Sequence, residues 1–231
     1  MIKGDLRKKQ ILETAEILFS EKGYESTSVQ DILDQLQLSK GSFYHHFESK
    51  EQILQKICES KVAAAAGNYS DEIGLNGIEY MNHVLYGMFP LHDEGLSILK
   101  VILPFFSLPE GIKIRADFQN ELKKTWGPLV KKALTQMIQR GEAYTIHTEK
   151  TAEIVMDLMN DLWVAAANEI FRSETESGTA VSPPLLFSLV NPYCNAIENL
   201  ISAPYASIHF VHPESLVQMT NEIHRWWQTG H

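Results

Sequence analysis

An all-α fold is predicted: a small N-terminal three-helix head followed by a larger helical body. Three observations predict it. Apolar residues recur at helical spacing along almost all of the 231 residues. No alternating run is long enough to make a strand. Glycines, prolines and capping residues stand where each apolar stripe stops.

The elements follow in order. Ile11, Ala15, Leu18 and Phe19 form one helix face, and Gly23 after Lys22 suits the left-handed residue that ends a helix. Ser28 with Asp31 marks a helix start, and Val29, Ile32, Leu33 and Leu36 carry its apolar stripe. A third helix is expected from Ser39 to about Phe47, with Phe43 and Phe47 one turn apart. Ser49 and Gln52 make an S-x-x-Q capping box opening a fourth helix that ends near Ala66. Further helices are expected at about 76–89, 93–103, 112–140 (with a break near Gly127-Pro128), 149–173, 184–202 and 214–228. The polar stretch from Ser173 to Ser182 reads as a loop.

Composition is that of an ordinary soluble protein, 44% apolar and 21% charged. Cys58 and Cys194 are far apart, match no metal spacing and suit a reducing cytoplasm. No secretory leader and no membrane span is expected. The net charge of −9 is uneven, −1 over residues 1–61 and −8 over 62–231. A near-neutral head can still present a basic face through Lys3, Arg7, Lys8, Lys9, Lys40 and Lys50.

Two short helices joined by a tight turn can place the second in the DNA major groove. Ser28–Leu36, the turn at Gln37-Leu38 and Ser39–Phe47 fit that plan. Ser39, Lys40, Gly41 and Ser42 let the backbone approach a duplex closely. The free N–H groups of a helix start favour phosphate oxygens. Tyr44 and His45 lie away from Phe43 and Phe47 and can hold backbone phosphates, with Lys50 a further phosphate contact.

The stretch from Ile11 to Ile32, followed by Leu38 to Glu51, resembles the head of the TetR family of bacterial repressors. The resemblance runs over about the first 55 residues. It implies a DNA-binding head at 1–50, a connecting helix at 50–67, and an effector-binding and dimerisation domain at 68–231. It implies that Ser28 holds a phosphate, that Lys40 and Ser42 face base edges or adjoining phosphates, and that Tyr44, His45 and Lys50 hold the backbone. The partners implied are a double-stranded operator, a small-molecule effector and a second copy of the chain. The chain departs from the family pattern at Leu33, Leu36 and Gln37, where small residues and a glycine are usual. Gln37 then takes a left-handed backbone at roughly 1 kcal/mol, or contacts DNA.

In the body, Tyr80, His83, Tyr86, Phe89, Phe105, Phe106, Trp126, Met159 and Trp163 are the candidate lining of an apolar ligand pocket. Each alone also reads as core. Asp157 and Asp161, one turn apart, read as solvated or interfacial. Helices near 149–173 and 184–202 are apolar over much of their circumference and are the expected dimer surface. Ile154, Leu158, Trp163 and the Ala165-Ala166-Ala167 run mark the first, and Leu186, Leu189, Val190, Tyr193, Ala196, Ile197, Leu200 and Ile201 the second. The final segment with Trp226 and Trp227 covers either the pocket or the dimer edge.

No enzyme, metal or cofactor is expected. H-E-x-x-H, G-x-S-x-G, G-x-G-x-x-G and the phosphate-binding G-x-x-x-x-G-K are all missing, and His209 and His212 have no partnered carboxylate motif. The alternative is a helical small-molecule or partner-binding module whose head binds no operator.

Overall fold

The structure, a computed structural model, describes residues 3–70, 74–91, 93–106 and 111–229. It is all-helical among these residues. The helices are α1 (Lys3–Lys22), α2 (Val29–Leu36), α3 (Lys40–Tyr44), α4 (Lys50–Asn68), α5 (Gly77–Met88), α6 (Asp93–Ile102), α7 (Gly111–Gln139), α8 (Thr148–Arg172), α9 (Pro183–Ile201) and α10 (Pro213–Gln228).

The first three helices close around their own core. Ile11, Ala15, Leu18 and Phe19 of α1 meet Ile32 and Leu33 of α2, Phe43, Phe47 and the start of α4. Thr27 is fully buried and ends α1: its hydroxyl donates to the carbonyls of Gly23 (2.8 Å) and Leu18 (3.2 Å). These bonds tie the turn after α1 back to its last turn. Gly23 takes φ +80°, the left-handed turn expected of it.

The spine of the rest is α7, 29 residues or about 43 Å long. It packs against α4, α5 and α8, and α8 packs against α9. The expected break at Gly127-Pro128 does not occur. Pro128 cannot donate to the carbonyl of Lys124, yet it lies on the exposed side of the helix, where a freed carbonyl need not be buried. Trp126, Val130 and Leu134 on the inner face are fully buried and hold the helix straight through. Glycine allows the tight α5–α7 crossing. A side chain at Gly77 would come within 2.7 Å of the Met137 backbone, and one at Gly87 within 2.5 Å of the Tyr69 ring.

The expected loop after Ser173 begins instead as a π-helical turn, Ser173–Ser177, continuing α8. It carries Glu174 inward, where the carboxylate meets His224 Nδ1 of α10 at 2.9 Å. The C-terminal α10 packs on α9 and α6, and Trp227 meets Phe171 edge-on at 5.6 Å. No helix among the described residues is long and apolar enough to cross a membrane.

Candidate nucleic-acid interface

Helix α2 begins with a full capping box. The Ser28 hydroxyl oxygen accepts the Asp31 N–H (3.1 Å), and the Asp31 carboxylate accepts the Ser28 N–H (2.7 Å). The Ser28 hydroxyl proton also points at Asp31, at 2.6 Å. These bonds from Ser28 hold the Asp31 carboxyl down at about 2. In this structure the Ser28 hydroxyl, expected to hold a phosphate, serves as the helix cap and donates to the carboxylate beside it.

Helix α2 ends at Gln37, whose φ of 53° and ψ of 45° are left-handed, as the missing glycine required. The Leu38 N–H reaches back to the Leu33 carbonyl at 2.9 Å, closing the turn. Leu33 is buried and Leu36 half-buried, so the larger leucines fill the seam without opening it.

Helix α3 is shorter than expected, ending at Tyr44, because the chain turns at His45 and His46 to reach Ser49. The Ser39 hydroxyl caps it, accepting the Ser42 N–H at 3.3 Å. Phe43 and Phe47 point fully inward. Outward stand Gln37, Ser39, Lys40, Gly41, Tyr44 and His45, all exposed, with Ser42 half-buried between them. Tyr44 is 57% exposed. A side chain added at Gly41 would meet nothing within 4 Å. Lys8 of α1 lies over the Phe47 ring at 5.8 Å, which brings the basic start of α1 to the edge of this face.

Lys50 faces the other way. Its ammonium donates to the carbonyls of Tyr24 (2.8 Å) and Thr27 (3.0 Å) and sits over the Tyr24 ring at 4.0 Å. The expected free phosphate contact is therefore an internal clamp between the α1–α2 turn and α4. At the start of α4, Ser49 accepts the Gln52 N–H as expected, but Gln52 bonds the N–H of Glu48, one residue earlier than a capping box has it.

Sequence reasoning assigned no role to Tyr24, which the structure makes central. Its ring is buried and meets Phe19 of the head at 5.0 Å and Phe105 of the body at 4.8 Å. Phe105 stands on a 3-10 turn, Leu103–Phe106, that follows α6. An aromatic directly after the helix-ending glycine was the only available signal.

Among the described residues, the candidate pocket lining divides between buried positions and an open hollow. Tyr80, Phe89, Phe105, Trp126, Met159 and Trp163 are buried core. Trp163 donates its indole N–H to the Met88 carbonyl at 2.8 Å. Helical spacing identifies an inward face but not whether neighbours fill it. His83 and Tyr86 are half-buried and line an open hollow of about 370 Å³ with Asn82, His209 and His212. Burial lowers the pKa of His83. The Phe106 side chain lies outside the described residues. Asp157 pairs with Lys123, and Asp161 accepts the Tyr193 hydroxyl at 2.6 Å, so both tie α8 to its neighbours.

Residues 11–57 match the sequence model of bacterial regulatory proteins of the TetR family. The chain is 27% identical over 153 residues to the transcriptional regulator UidR of Escherichia coli strain K12, covering 64% of this chain and 76% of UidR. It is 33% identical over 135 residues to IcaR of Staphylococcus epidermidis, the negative regulator of a biofilm operon, covering 52% of this chain and 70% of IcaR. The fold is shared with a TetR-family regulator from Pectobacterium atrosepticum, with a TM-score of 0.65, 19% identity, and coverage of 87% of this chain and 97% of that one. A capped two-helix unit with a polar outer face, set on a helical body and matched in sequence to these regulators, defines the assignment: the chain belongs to the TetR family of helix-turn-helix transcription regulators.

Proposed function

We propose that this protein is a dimeric repressor that lays α3 of each head in the major groove of a pseudo-palindromic operator and lets go when a small molecule binds its helical body. The observation that carries the DNA reading is the outer face of α3. Gln37, Ser39, Lys40, Gly41, Tyr44 and His45 are exposed together, while Phe43 and Phe47 anchor the helix from behind. Small residues let the duplex come close, and the polar tips and Lys40 meet phosphates or base edges. The two heads would sit about 34–36 Å apart, one turn of DNA, or a multiple of it. Repression is the direction taken because IcaR is a negative regulator.

Residues 1–50 act as the reading domain, α4 as the connector, and 68–231 as the effector and dimer domain. The Tyr24–Phe105 contact supports coupling between them, since a shift of the turn after α6 presses directly on the head. Dimerisation is assigned to α8 and α9. Ile154, Leu185 and Phe187 are apolar yet at least 36% exposed there, and Leu158, Leu189, Tyr193 and Leu200 are half-buried beside them. Two buried free thiols, Cys58 and Cys194, suit a reducing cytoplasm.

A gel shift with the DNA flanking the gene for this chain tests the reading. Binding should fall by about 0.9 in log K per log salt for each phosphate neutralised. A chain that is folded and dimeric but shifts no flanking DNA is instead a ligand- or partner-binding module.

A further inference from the structure

The head is joined to the body by α4, whose start belongs to the head core and whose length packs against α6 and α7. A single helix can bend, so the tilt of the head needs a second point of contact. Beside α4 that contact is narrow. A hollow of about 510 Å³ lies between Tyr24, the start of α4 and the first half of α7. Another of about 250 Å³ lies between Glu16, Phe19 and Ser20 of α1 and the outer side of α6. Phe19 borders one hollow and Tyr24 the other, and the two rings meet. The Phe105 ring of the body then packs on Tyr24 at 4.8 Å.

Each side of this ring contact is held in place. In the head, Tyr24 lies under the Lys50 ammonium at 4.0 Å, and its hydroxyl donates to the Glu51 carboxylate. In the body, Phe105 is buried but stands on a four-residue 3-10 turn, a form whose own hydrogen bonds are poor. The turn is gripped from outside. Half-buried Arg115, in the first turns of α7, donates a guanidinium N–H to the Phe105 carbonyl. Such a charge-assisted bond is roughly twice as strong as a neutral one. Gly111 lets α7 come this close, since a side chain there would collide with the same carbonyl oxygen. The ring that Tyr24 rests on is thereby tied to the long spine helix.

We propose that Arg115 is a positioning residue: by holding the Phe105 carbonyl it sets the tilt of the head on the body, through the Phe105 and Tyr24 rings. It touches neither DNA nor the head itself. With hollows bordering Phe19 and Tyr24, few other side chains share the task, so a change at this one bond reaches the head. That the tilt serves to bring α3 onto a half-site rests on the DNA reading above; the effect on the tilt does not.

Distances between paired spin labels on the full-length chain without DNA test it. One label sits on the head at Glu13→Cys and one on the body at Lys150→Cys, both exposed positions, while the native Cys58 and Cys194 are buried. Diluting labelled chain into unlabelled chain keeps the measured pair within one protomer. The parent should give a single narrow distribution. Arg115→Met should widen it about twofold with helix content unchanged, and Arg115→Lys, which keeps a donor, should widen it less. Phe105→Leu should also widen it, and adding Arg115→Met to that variant should widen it no further, because both act through one contact. An unchanged distribution in Arg115→Met overturns the proposal, as does widening that adds in full to that of Phe105→Leu. Phe105→Leu alone carries the test if Arg115→Met does not fold, and an unchanged distribution there overturns it too. On DNA, one base pair inserted at the operator centre should cost the parent about tenfold in affinity and Arg115→Met about threefold or less. A chain whose distances respond as stated but that shifts no DNA fails the operator reading and not the role of Arg115.

Discussion

Replacing Lys50 by Met separates two accounts of the same residue. Met keeps most of the aliphatic stem and removes the ammonium. The ammonium makes charge-assisted bonds of 2.8 and 3.0 Å to the Tyr24 and Thr27 carbonyls and sits 4.0 Å from the Tyr24 ring centroid. Hydrogen bonds to charged groups contribute about 1.5–3 kcal/mol each, and an exposed cation–π contact about 0.5–1 kcal/mol. Partial exposure discounts the sum to about 3 kcal/mol. For a chain of this size that is a fall in Tm of about 6–12 °C. Differential scanning calorimetry reads the Tm, and operator titration across a salt series reads the slope. The clamp account predicts a lower Tm with the salt slope unchanged. An unchanged Tm with a slope shallower by about 0.9 shows that Lys50 holds a phosphate after all, and refutes the clamp.

Three further outcomes follow from the head. Gly41→Ala should leave the fold intact or raise stability by up to about 1 kcal/mol, since nothing lies within 4 Å of the new methyl, while operator affinity drops at least tenfold by anisotropy. Undiminished affinity removes the close backbone approach from the account. Gln37→Gly should stabilise the protein by about 1 kcal/mol in urea denaturation, because it relieves a non-glycine residue at φ 53°; a loss of stability contradicts that reading of the turn. Asp31 has a folded pKa of about 2 against the usual 3.8, so its bonds to Ser28 stabilise the head above that usual value and are lost as pH falls toward 2. Asp31→Asn should thus melt lower than the parent at neutral pH, with the gap closing in acid; a gap independent of pH would falsify the capping assignment.

The legible parts of this molecule are those governed by neighbours in sequence. The edges of α5, α8, α9 and α10 fall within about two residues of expectation, because Asn76, Pro183 and Pro213 act locally. The left-handed Gln37 was legible for the same reason. Long-range contacts were not. Lys50 reads as a free basic residue until the fold brings it to carbonyls 26 and 23 positions away. Pro128 reads as a breaker, but it sits on the exposed side of a helix that is buried along the other, and that burial carries the helix past it. The polar stretch at Ser173 conceals Glu174, whose burial depends on His224, 50 residues later. Tyr80, Phe89, Phe105, Trp126 and Trp163 of the body are buried. Whether they surround a space or fill one is a property of packing, to which periodicity is blind.

The central claim is that the outer face of α3 reads DNA. Hydroxyl-radical footprinting on the flanking DNA tests it most directly. The account predicts two protected patches about one helical turn apart, or a multiple of it, that disappear in the Lys40→Ala, Tyr44→Ala double variant although that variant still folds and dimerises. Protection that persists unchanged in the double variant, or no protection by the unaltered chain at low salt, contradicts it.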